Sequence, residues 1–112
     1  MKVIVCGSRH LMVTTDWIAL VTQRLLAMGA TSVVSGGCRG ADQIGTAAAL
    51  DLRIPVDEFP AEWKEHGSKA GPMRNQAMAE FADAVLALPG GTGTADMIRK
   101  AKALGLPVER LV

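Results

Sequence analysis

The sequence contains no tyrosine and only four aromatic residues in all, two tryptophans and two phenylalanines, so few rings are available to stack on bases. Its formal net charge is +1, too small a field to point to a polyanion. Nucleic acid is therefore not an expected partner. Cysteine is scarce: Cys6 and Cys38 form no Cys-x-x-Cys pair, and His10 and His66 stand at no metal-ligand spacing. No metal is expected, and two reduced thiols are. Long apolar runs are missing too. Met1–Cys6 is too short for a signal-peptide core, and nothing approaches membrane-spanning length, so a cytoplasmic protein without a membrane partner is expected. The patterns Gly-x-Gly-x-x-Gly and Gly-x-x-x-x-Gly-Lys-Ser/Thr are both absent, which leaves an ordinary dinucleotide oxidoreductase and a P-loop nucleotidase without support. With 112 residues, the chain has material for one domain, residues 1–112.

What is present centres on Ala84–Thr94, an apolar run stopped by Pro89 and followed by Gly90, Gly91, Thr92, Gly93 and Thr94. The run reads as a buried strand, and Ala95 to Leu104 has helical periodicity. Glycines between a strand and a helix let backbone amides approach an anion without Cβ obstruction, and the helix N-terminus adds unpaired N–H groups and about half a positive charge. Two further stretches repeat the arrangement. Lys2–Cys6 runs into Gly7, Ser8 and Arg9, and Thr31–Ser35 runs into Gly36, Gly37, Cys38, Arg39 and Gly40. In open parallel sheets, ligands bind beyond the carboxyl ends of the strands, so three glycine turns on one edge mark a phosphate site.

The remaining elements follow from pattern. Thr14, Thr15 or Asp16 can cap a helix with the stripe Ile18, Val21, Leu25 and Met28, stopped by Gly29. An alanine-rich helix spans about Ala41 to Leu52, with Asp42 in its first turn either balancing the helix dipole or contacting a ligand hydroxyl. Pro60–Gly71 reads as one long irregular segment, a candidate lid in which Trp63 pins its own loop or covers a base; His10 and His66 read as surface residues. A third helix starts at Gly71-Pro72, and Arg74 falls on its apolar stripe with Ala77, Met78 and Phe81. An inward arginine needs an anion, either a carboxylate such as Asp83 or Asp57 or, the favoured reading, a ligand phosphate. On the fourth helix Met97, Ile98, Ala101 and Leu104 face inward, and Asp96 can pair with Arg99 or Lys100 or accept a ribose hydroxyl. The alternation predicts an α/β Rossmann-like three-layer sandwich: a five-stranded parallel sheet with four helices on its two faces.

Pro89-Gly90-Gly91-Thr92-Gly93-Thr94, with Arg74 fifteen positions before the proline, resembles the signature of the lonely-guy phosphoribohydrolases and of the wider SLOG superfamily. Ser35–Asp42, Phe59–Trp63 and Ala70–Asn75 are similar to the YspA-like branch of that superfamily. The resemblance implies strand order 3-2-1-4-5, a nucleotide or nucleotide-derived ligand with no cofactor required, and a homodimer. In the phosphoribohydrolases the motif ends in a glutamate that serves cleavage together with the arginine. Here Met97 holds the glutamate position, and Asn75 replaces the lysine that often follows the arginine. Asp96 is one residue earlier, rotated about 100° around the helix. The reading is therefore a nucleotide-binding module of sensor or carrier type, with Gly90 to Thr94 and Arg74 on phosphate and Ser8, Arg39, Asp42 or Asp96 on ribose or base. Two alternatives remain: a nucleoside 5′-monophosphate phosphoribohydrolase using Arg74 and Asp96, and a partner-binding domain with a vestigial pocket.

Overall fold

The computed structural model describes residues 1–111. Five strands, β1 (Lys2–Cys6), β2 (Ser32–Ser35), β3 (Val56–Glu58), β4 (Ala84–Ala87) and β5 (Val108–Arg110), form one parallel sheet in the order β3-β2-β1-β4-β5. The winding reverses at β1: the chain steps outward to β2 and β3, then returns to place β4 on the other side of β1. That reversal opens a crevice between the carboxyl ends of β1 and β4.

Both faces of the central strands are covered, which is why they read as continuous apolar runs rather than as alternating ones. Val3 and Val5 point to one side, against Val21 and Leu25 of α1 (Thr15–Met28) and Ile44 and Ala48 of α2 (Ala41–Leu52). Ile4 and Cys6 point to the other, against Met78 of α4 (Ala70–Phe81) and Met97, Ile98 and Ala101 of α5 (Thr92–Ala103). Small residues set the depth of the first layer. Gly45 lies so close to β1 that an added Cβ would come within 2.8 Å of the Val5 Cβ. At the start of α1 the Thr14 hydroxyl accepts the Trp17 N–H at 3.1 Å, and Gly29 ends the helix in the left-handed region at φ 71°.

The helices depart from the sequence reading in three places. The segment expected to be irregular holds a four-residue helix, α3 (Trp63–His66), and a 3₁₀ turn over Gly67–Lys69. Neither buries a residue, so there is no apolar stripe for periodicity to detect. This brings the α-helices among the described residues to five rather than four, and α4 starts at Ala70, with Pro72 in its first turn, where a missing N–H costs no ladder bond. Finally, α5 starts at Thr92 instead of Ala95. Thr-Gly-Thr has weak helix propensity and reads as turn, yet it forms the helix's opening turn.

The glycine turns are joined by backbone. Ser8 N–H donates to the Pro89 carbonyl at 2.8 Å, and Ala41 N–H donates to the Ser8 carbonyl at 3.1 Å. Gly40 makes this approach possible: at φ 67°, its added Cβ would lie 2.4 Å from the Ser8 carbonyl oxygen and 2.7 Å from the Arg9 carbonyl carbon, neither of which can swing away. Gly29 has a similar φ of 71° but open space around it. Gly40→Ala should therefore destabilise the fold by about 1–3 kcal/mol beyond the loss caused by Gly29→Ala, read as a lower urea midpoint. Equal losses would mean that backbone conformation alone, and not the contact between turns, requires glycine at position 40.

Candidate functional site

A cleft of about 670 Å³ lies over the carboxyl edge of the sheet. Each glycine turn supplies part of its wall: Gly7, Ser8 and Arg9 after β1, Gly36 and Asp42 after β2, and Gly91, Thr92, Gly93 and Thr94 after β4. From α4 come Arg74 and Asn75, and from α5 Asp96. Four residues expected in the site are not part of its lining. Gly37 packs against the Glu58 carboxyl group, Gly40 lies under the backbone of Ser8 and Arg9, and Gly90 sits beneath the Thr94 side chain. For Gly40 and Gly90 the role is close packing, which the glycine pattern alone cannot separate from ligand approach, while Gly37 is exposed and meets only the end of the Glu58 side chain. Arg39 is exposed, outside the lining, on the stretch between the two left-handed residues Gly37 (φ 73°) and Gly40 (φ 67°).

The first turn of α5 forms one pole of the cleft. Its main-chain ladder starts with Ala95 N–H to the Gly91 carbonyl at 3.0 Å, so the amides of Thr92, Gly93 and Thr94 precede it. No side chain caps this helix. Arg74 reaches the cleft from α4. Its Nη1 donates to the Gly36 carbonyl at 2.7 Å and its Nε to Asn75 Oδ1 at 3.1 Å. Neither carboxylate considered for it is its partner: the Asp83 carboxylate accepts the Lys2 N–H at 2.7 Å, and no salt bridge joins Arg74 to Asp57 or to any other described residue. Arg74 is half-buried, so solvent meets part of its demand and leaves its remaining N–H groups free for a ligand.

Asp96 is occupied. It accepts from Lys100 Nζ at 2.9 Å, from Asn75 Nδ2 at 3.0 Å and from Arg99. Burial alone would raise its pKa, but the hydrogen bonds from Lys100 and Asn75 and the charges of Lys100 and Arg99 outweigh it and hold the carboxyl below its ordinary value. Asn75 is 9% exposed and satisfied at both ends, since its Nδ2 also donates to the Gly93 carbonyl at 3.3 Å. Sequence reasoning read it as a lost charge. Its position as a neutral bridge between Arg74, Asp96 and the first turn of α5 depends on helix packing that no local pattern encodes.

Asp42 contrasts with Asp96. Its Oδ2 accepts the Cys38 N–H at 3.0 Å. Burial raises its pKa, and the Cys38 amide, the Arg74 charge, the Gly36 amide and the Cys38 side chain only partly offset that rise. The buried Cys6 thiol beneath is pushed up to about 12 by burial and by the Asp42 charge, so it stays protonated and inert.

Several lining residues were not expected in the site: Cys38, Met78, Met97, Arg99 and His10, the last of which donates its N–H to Ser8 Oγ at 3.0 Å. Trp63 stands at the mouth beside Gly71 and is 57% exposed, which fits a rim better than the pinned loop residue considered above. Its indole was the one signal in the sequence that could have marked this wall.

Comparison with known proteins bears out the family resemblance. A model of the YspA, cpYpsA-related SLOG family matches residues 1–66. The Gene 61 protein of Mycobacterium phage D29 is 37% identical over 116 residues, covering 96% of this chain and 93% of that protein. Among solved structures, TM1055 superposes with a TM-score of 0.76 at 24% identity, over 96% of this chain and 71% of that one. The DNA processing protein A of Helicobacter pylori, described in a single-stranded DNA binding mode, superposes with a TM-score of 0.72 at 20% identity, over 100% of this chain and 65% of that one. The last likeness corrects the expectation about nucleic acid: this architecture occurs in a protein that binds single-stranded DNA, so a low aromatic count and a small net charge do not set nucleic acid aside. No described helix is long and apolar enough to cross a membrane. With the family model matching more than half of its length and a relative at 37% identity along nearly all of it, the chain belongs to the YspA, cpYpsA-related SLOG family.

Proposed function

We propose that the chain binds a nucleotide or nucleotide-derived ligand in this cleft, holding it without cleaving it. The observation that carries the reading is the meeting of the unpartnered guanidinium edge of Arg74 with the open amides of Thr92, Gly93 and Thr94. A planar cation and a helix N-terminus facing one space suit a phosphate group. The same walls leave room for a sugar and a base, and Trp63 offers an indole face at the mouth.

Glycosidic cleavage needs a carboxylate free to meet the developing oxocarbenium charge. Met97, at the glutamate position of the phosphoribohydrolases, is 1% exposed and packs with Ile4 and Met78. Asp96 already carries three donors. Both features support binding over turnover. A second occupant, a phosphodiester of single-stranded DNA, is favoured by the likeness to DNA processing protein A and would use the same phosphate pole.

Nucleoside 5′-monophosphates should raise the melting temperature while the matching nucleosides leave it unchanged; equal responses would remove the phosphate assignment. Arg74→Ala should weaken binding by about 1.5–3 kcal/mol, measured by calorimetry, and unchanged affinity in the folded variant would return Arg74 to a purely structural role. Gly93→Ala gives a sharper test. An added Cβ there meets no atom within 4 Å, so the fold should keep or gain stability while the methyl group crowds the phosphate pole and lowers affinity. A variant with full affinity would place the anion elsewhere. Incubation with nucleoside monophosphates should release no free base above an enzyme-free control, as checked by chromatography, and release that vanishes in Asp96→Asn would make the protein a hydrolase.

A further inference from the structure

The cleft contains two carboxylates, and the fold treats them in opposite ways. Asp96 is saturated by Lys100, Asn75 and Arg99. Among the described residues Asp42 meets only neutral hydrogen-bond donors: the Cys38 N–H on Oδ2, with the Gly36 amide and the Cys38 side chain also at its carboxyl group. Arg74 stands alongside without closing a salt bridge to it. Gly36 lies between the two: an added Cβ there would be 2.5 Å from Arg74 Nη1 and 3.1 Å from Asp42 Oδ2. Carboxylate and guanidinium thus flank the end of β2, each with unused hydrogen-bonding capacity toward the cleft.

We propose that Asp42 is the ribose acceptor of the site, its carboxylate, unpaired with any cation, taking hydrogen bonds from the 2′ and 3′ hydroxyls, so that the ligand class is a ribonucleotide with both hydroxyls unmodified. This rests on the nucleotide reading above and narrows it. Three features carry the assignment. A carboxylate is acceptor-only when ionised, so its natural ligand partner is a pair of hydroxyl donors. Asp42 lies just beyond the second strand, where dinucleotide-binding folds place the acidic residue that holds ribose hydroxyls. The placement also agrees: Asp42 and Arg74 flank Gly36 on the β2 side of the cleft, and the first turn of α5 opens into the same cleft from the β4 side. If Asp42 only balanced the dipole of α2, it would be indifferent to the sugar.

The test uses the whole protein and four pairs of probes: adenosine, guanosine, cytidine and uridine 5′-monophosphates, each beside its 2′,3′-dideoxy counterpart, titrated by calorimetry into wild type and Asp42→Asn. In wild type the dideoxy member of the binding pair should be weaker by about ten- to a hundredfold, the size of a charge-assisted hydrogen bond. In Asp42→Asn, where the amide oxygen can still accept the Cys38 N–H, the ratio should fall to within about threefold through loss of ribonucleotide affinity. Equal binding of both sugars to wild type would overturn the ribose assignment and leave the phosphate site standing. A ribonucleotide preference that persists in Asp42→Asn would move the hydroxyl contact to another residue and equally overturn it. A panel in which no monophosphate binds would overturn both this assignment and the nucleotide reading. The comparison of sugars on wild type decides the matter even if the variant does not fold.

Discussion

Much of the architecture depends on the backbone of one residue. Ser8 donates its N–H to the turn after β4 and lends its carbonyl to the start of α2, so the ends of β1 and β4 and the beginning of α2 are held together by backbone alone. Hydrogen bonds of this kind fix separation and direction at once, and leave no room for side chains between the partners. Gly7, Gly40 and Gly90 are glycines for that reason: an added Cβ at any of them would come within 3.0 Å of atoms in the neighbouring turns. The cleft is what lies above this closed floor. Gly91 and Gly93, by contrast, face open space, so the same residue type serves packing below and approach above.

The side chains over the floor divide along a neutral bridge. Asn75 spends its carbonyl on Arg74 and its amide on Asp96 and the first turn of α5. A lysine there would compete with Lys100 for Asp96 and could offer Arg74 no acceptor. With asparagine, Arg74 is aimed by a fixed dipole and keeps its charge for the cleft, while Asp96 is drawn into its own helix by Lys100 and Arg99. That arrangement stabilises an anion that is already present. It leaves Asp96 engaged with three donors rather than turned to a developing oxocarbenium charge.

The sheet was legible because buried parallel strands leave a strong trace, short β-rich runs separated by helical stripes, with glycine turns after β1, β2 and β4, whereas the strand order came from the family resemblance. The cap at Thr14 and the stop at Gly29 were legible for the same reason, since each depends on a residue type at a fixed offset. The region 60–69 was not, because α3 exposes every residue it contains, and a helix without a buried face has no periodicity to read. Within the site, residue type pointed to Arg74, Asp42 and the Thr92–Thr94 turn. The pairing of Asp96 with Arg99 and Lys100 was legible from spacings of three and four, but its tie to Asn75 was hidden, because that bond is decided by where α4 lies against α5, a contact between residues about twenty positions apart.

The failed exclusion of nucleic acid has a definite physical origin. Net charge is a sum over the whole surface, and it averages away position. Of this chain's twelve basic residues, Arg9, Arg74 and Arg99 stand at one mouth, facing Asp42 and Asp96, and Asp96 is already neutralised by Arg99 and Lys100. The α5 N-terminus adds its partial positive charge to the same space. The local potential over the cleft is therefore set by a few groups that topology gathers from four separate turns and helices. A phosphate would respond to that local arrangement whether it closed a mononucleotide or joined two units of a strand, and the ribose contact proposed for Asp42 would distinguish the two.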